Sequence, residues 1–104
     1  MRKLILLLAA GLLHAQDAAN GKKLFSSVGC YECHGRVGQG GSAGPRLAPR
    51  PVPLPALIAY VRHPSGAMPP YTAKLVTDAQ LADIHAYLAS IPPAAKDIPL
   101  LNQQ

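Results

Sequence analysis

Residues 30–35 read Cys30-Tyr31-Glu32-Cys33-His34-Gly35, and they contain both cysteines of the 104-residue chain. Two thiols three positions apart, with an imidazole directly after the second, admit four readings. A zinc site needs two further soft or imidazole ligands at close spacing, and the chain has no second C-x-x-C and no H-x-x-x-H. A thioredoxin-like redox pair belongs in a strand-rich α/β domain. A disulfide closing a loop of two residues constrains the unfolded chain very little. The fourth reading, C-x-x-C-H, is covalent c-type haem attachment.

Working outward from this segment, the flanking sequence favours the fourth reading. Met1 to Ala15 (MRKLILLLAAGLLHA) opens with Arg2 and Lys3, continues with an apolar run from Leu4 to Leu13, and ends in small and polar residues. That order reads as a secretory signal peptide removed after Ala15. As a membrane anchor it is too short, since its apolar run is half of the roughly 20 residues a span requires. Export places the protein in the periplasm or an equivalent oxidising space, where two thiols are expected to be consumed. Removing the leader leaves residues 16–104 as one domain, with no membrane span expected in it.

That domain is poorly supplied with core. The chain has one Phe and no Trp, against eleven Pro and nine Gly, so a small domain of this size needs a staple or a filler. The formal charge of +5 falls to +3 once Arg2 and Lys3 leave with the signal. So mild an excess lacks the basic stripe of a nucleic-acid binder, and no nucleic acid is expected as partner.

Helical signals punctuate the chain, and no segment alternates as a strand does. Asp17 is placed to cap a first helix carrying Leu24, Phe25 and Val28 on its apolar side, with Gly29 ending it. Gly35 to Pro55 reads as a long Gly- and Pro-rich loop, acceptable in a compact domain when it wraps around something. Leu54 to His63 predicts a short helix stopped by Pro64, with Leu57, Ile58 and Val61 facing inward. Thr77-x-x-Gln80 has the capping-box pattern and opens a last helix with Leu81, Ile84, Leu88 and Ile91 at helical spacing. Pro92 and Pro93 stop it, and residues 92–104 read as an irregular tail. The fold class is therefore all-α: three to four short helices with long loops.

Haem attachment uses every residue of the motif. Cys30 and Cys33 form thioethers to the two porphyrin vinyl groups, and His34, held beside the ring, supplies the proximal nitrogen to iron. The porphyrin then fills the core that the side chains do not.

Here the sequence resembles the class I monohaem cytochromes c, over essentially the whole of residues 16–104. The resemblance rests on five landmarks in order. They are Gly21-Lys22-Lys23-Leu24-Phe25, the Cys30–Gly35 motif, Gly44-Pro45-Arg46-Leu47, Met68-Pro69-Pro70-Tyr71, and Ile84-His85-Ala86-Tyr87-Leu88. It implies that Gly21 and Phe25 cross Ile84, Tyr87 and Leu88, and that the Pro45 carbonyl accepts a hydrogen bond from the far nitrogen of His34. It also implies that Leu47 packs on the proximal side of the haem and that Met68 is the distal iron ligand. Apart from the initiator, Met68 is the only methionine in the chain. A methionine so placed can also simply fill a gap in a core. His63, five residues upstream, is the rival ligand, and His85 reads as a surface or packed histidine.

With both axial positions filled by protein, no substrate coordinates, so the expected function is a soluble one-electron carrier and not an enzyme. Its expected partners are a dehydrogenase or terminal oxidase presenting an acidic patch, which the protein meets as a monomer or as a dedicated subunit of a redox complex. A gas-binding, sensing or peroxidatic haem protein with an open iron site is the alternative from a different class.

Overall fold

The computed structural model describes residues 16–93; residues 1–15, with their signal-peptide reading, and residues 94–104 lie outside the described residues. Four helices follow one another: α1 (Ala18–Ser27), α2 (Cys30–His34), α3 (Leu54–Arg62) and α4 (Asp78–Ser90). The class expected from the sequence, all-α with long loops, is the one observed, and among the described residues the β-pairing is a single bridge between Gly41 and Gly44.

Each helix begins and ends where its sequence gives a reason. The Asp17 side chain accepts from the Asn20 amide at 3.0 Å and caps α1. Gly29, at φ 89°, takes the left-handed conformation that closes α1 and opens α2. At α4 both halves of the capping box are made: Gln80 N–H donates to Thr77 Oγ1 at 3.1 Å, and Thr77 N–H donates to Gln80 Oε1 at 2.9 Å. Pro55 sits in the first turn of α3, where its missing N–H costs nothing.

The central contact is α1 against α4. Phe25 is fully buried and meets Tyr87 with ring centroids 5.7 Å apart at 56°, a tilted pairing favoured by the aromatic quadrupole. One turn earlier, a Cβ built on Gly21 would collide with the backbone carbonyl of Asp83, so only glycine allows the two backbones this close. The Asp83 carboxylate reaches across the same crossing, accepting from the Asp17 amide at 2.8 Å and from Asn20 Nδ2 at 2.9 Å. A carboxylate is stabilised at that helix end by the unpaired N–H groups of the first turn.

Gly21→Ala is therefore expected to destabilise the protein by about 3 kcal/mol, the upper end for overpacking. The roughly 1 kcal/mol that alanine gains in helix propensity is the smaller effect. A urea midpoint read by helix circular dichroism checks this, and a midpoint at or above wild type would contradict the close crossing.

The remaining core follows the helical stripes. Leu57 and Val61 of α3 and Leu81, Ile84 and Leu88 of α4 are buried, with Ile58 and Ile91 partly so. Two buried residues, Ala48 and Val76, belong to no periodic segment and lie in loops that fold back onto the helices. The long loop after α2 is organised by its own hydrogen bonds. The Gly38 carbonyl accepts from both Leu47 and Ala48 amides at 2.8 and 3.0 Å, and the Gly40 amide donates to His34 O at 2.8 Å. Its far end is held to α4 by His85, whose Nε2 lies 2.8 Å from the Val52 carbonyl.

Candidate functional site

The cysteine motif is itself helical. In α2 the residues 30–34 make one turn and a third, which places Cys30, Cys33 and His34 on one short helix packed beside α1. Cys30 is partly buried and packed against the core, whereas Cys33 is exposed; the two sulfurs are not bonded to each other. Burial pushes the Cys30 thiol up to about 11. A redox-active or metal-binding cysteine is shifted the other way, toward thiolate, so this environment does not support the thiol-exchange reading. Among the described residues no group of three or more His, Cys, Asp and Glu side chains converges as a protein-only metal site would require.

His34 is buried, and its Nδ1 stands 2.8 Å from the Pro45 carbonyl oxygen. A carbonyl can only accept, so Nδ1 carries the proton and Nε2 of the neutral ring keeps its lone pair. This orients the imidazole and raises the basicity of Nε2 as a ligand. Gly44 completes the cradle: a Cβ there would stand 2.9 Å from both Cε1 and Nδ1 of His34 and 2.9 Å from Cys33 O, so the loop passes the imidazole only because residue 44 has no side chain. Leu47, two residues beyond Pro45, is half-buried against the core.

Met68 is half-buried and packs against the buried cluster, while His63 at the end of α3 is exposed. Of the two candidate distal ligands, the thioether is thus the one turned inward. Tyr60, Arg62 and Tyr71, side chains able to reach a carboxylate, are all engaged with the protein itself. The Tyr60 hydroxyl donates to Ser65 O at 2.9 Å, Arg62 Nη1 to Tyr71 O at 3.0 Å, and the Tyr71 hydroxyl to Val28 O at 3.0 Å. The Tyr71 hydroxyl is also held above the usual phenol range, chiefly by burial. These contacts could not be read from the sequence, since each joins residues whose proximity only the packed loops create.

An imidazole with a committed Nδ1 and an open Nε2, an inward thioether, and two cysteines on one helical turn are the donor set that haem c requires, and the residues present fit that group. The fold and this site define a small c-type cytochrome. The family model described as cytochrome c oxidase, cbb3-type, subunit III matches residues 16–88. The chain is also similar to the 4-cresol dehydrogenase [hydroxylating] cytochrome c subunit of Pseudomonas putida, with 38% identity over 94 residues, covering 88% of this chain and 79% of the relative. No solved structure matches the chain. The chain therefore belongs to this family of c-type cytochrome domains, electron carriers whose cofactor is haem c.

Proposed function

We propose that the protein is an exported one-electron carrier holding a single haem c through thioethers at Cys30 and Cys33, with His34 and Met68 as axial ligands, and that it is not itself an enzyme. When bound, haem c supplies one-electron exchange between ferric and ferrous iron. The chain's own residues provide the setting for that exchange. Pro45 fixes the His34 tautomer, Gly44 gives the imidazole room, and Met68 would supply a soft sulfur that favours the ferrous form. The observation that carries the reading is the His34–Pro45 contact, which leaves one nitrogen lone pair available and aimed away from the loop.

The test of carrier against gas-binding or peroxidatic protein is the visible spectrum of the ferrous protein with and without carbon monoxide. Two protein ligands at the iron predict no change on adding the gas; rapid formation of a carbonyl complex would favour an open-site function instead.

For the partner, we propose a redox enzyme presenting an acidic patch. Lys22, Lys23, Arg36, Arg46, Arg50 and Lys74 are exposed, and among the described residues the ion pair joins a different cation, Arg62, to Asp78. The segment 35–53 carries three of these arginines and no acidic residue. The named relative supports a dedicated subunit of a dehydrogenase as a second reading. Either arrangement predicts that the second-order rate of electron exchange with the partner falls as ionic strength rises, because charges farther apart than about 10 Å are screened at 0.1 M salt. A rate that is flat or rises with salt would remove the basic face from the proposal.

After removal of residues 1–15, the periplasm or an equivalent exported space is the proposed location. Secretory patterning of the leader and the chemistry proposed for the cysteines support it. Among the described residues no helix is long and apolar enough to cross a membrane.

A further inference from the structure

The loop that carries Met68 is suspended between two ends. At its start the Tyr60 hydroxyl holds Ser65 O at 2.9 Å, and at its finish Tyr71 is held at three points. The Tyr71 amide donates to Val61 O at 2.9 Å, its carbonyl accepts from Arg62 Nη1 at 3.0 Å, and its hydroxyl donates to Val28 O at 3.0 Å. Between them residues 66–70 make no hydrogen bond among the described residues. The span from Met68 to Tyr71 contains only Pro69 and Pro70. Both have φ fixed by their rings, and Pro69 also restricts Met68 to extended conformations. Three residues of such stiff chain transmit the position of Tyr71 to Met68.

We infer that Arg62 and Tyr71 are positioning residues for Met68, bracing the sulfur toward the iron from α3 and from the α1 end beside Cys30. The inference rests on the proposed ligation by Met68. Arg62 is suited to the task because its guanidinium is largely buried, with only 16% of the side chain exposed, and donates in two directions. Nη1 grips the loop at Tyr71 O, and Nη2 reaches Asp78 Oδ1 at 2.7 Å in the first turn of α4. A charged donor to a carbonyl is worth more than a neutral one, whereas the carboxylate partner is 70% exposed and screened by water. The grip on the loop is therefore the larger contribution. Tyr71 adds the cross-link to Val28, two residues before Cys30, so the distal loop and the attachment helix are tied to each other by one phenol.

The test uses the holoprotein and compares Arg62→Met and Tyr71→Phe with wild type during guanidine titration. Two signals are followed: the ferric near-infrared sulfur-to-iron band and helix circular dichroism. The brace predicts that in both variants the band is lost at clearly lower denaturant than the helices. It also predicts that carbon monoxide binds ferrous Arg62→Met about tenfold faster than wild type, the effect of losing one charge-assisted hydrogen bond. Tyr71→Phe removes a single oxygen and keeps the ring, so it serves if Arg62→Met folds poorly. Band and helix signals that shift together, or do not shift at all, would assign these residues a merely structural role and overturn the inference. A wild-type protein without the band would overturn the Met68 ligation, and the brace with it.

Discussion

Met68→Ala is expected to abolish the weak near-infrared band of the ferric protein and to convert the ferrous form from one indifferent to carbon monoxide into one that binds it stoichiometrically. Met68 is the sole methionine apart from Met1, it packs inward, and residues 66–70 offer no other donor facing the core. Its reduction potential should also fall, because a soft thioether stabilises ferrous iron and its removal withdraws that preference. His63→Ala is the control. His63 is exposed at the end of α3, so its loss should leave band and potential unchanged. Loss of the band in the His63 variant, with retention in the Met68 variant, would transfer the ligand role to the histidine.

Replacing either cysteine should have the other large effect, a severalfold lower yield of red, folded protein. The two variants are not equivalent. Cys30 is partly buried against the core, so Cys30→Ala removes an attachment point and also a packed sulfur. Cys33 is exposed, so Cys33→Ala isolates the loss of attachment from any loss of packing. A chain with one Phe and no Trp has few apolar side chains with which to compensate. Equal yields of red protein from wild type and Cys33→Ala would show that attachment there contributes nothing to folding.

The features legible in the sequence were those with a local cause. Asp17, Thr77 with Gln80 and Gly29 mark helix ends through hydrogen bonds or backbone conformations made within a few residues, and each mark coincides with an observed end. The close crossing at Gly21 was legible only through the resemblance to class I cytochromes c, which implied it, and the Asp83 carbonyl makes that approach. The helicity of Cys30–His34 was hidden, because five residues are too few for a periodic signal. Ala48 and Val76 were hidden because their burial comes from loops folded against the core cluster, not from their own spacing. The roles of Arg62, Tyr60 and Tyr71 were equally out of reach. Each could have served an external carboxylate, and only the packed loops show the carbonyls they engage. The apparent looseness of segment 35–53 was misleading too, since Gly38 and Gly40 bind it back to His34 and to itself.

The central claim is covalent attachment of one haem at Cys30 and Cys33, and acid–acetone extraction of the purified wild-type protein tests it most directly. The account predicts that the colour stays with the precipitated polypeptide and that its intact mass exceeds the chain's by one haem; colour passing into the acetone, with the polypeptide at its bare mass, would contradict it.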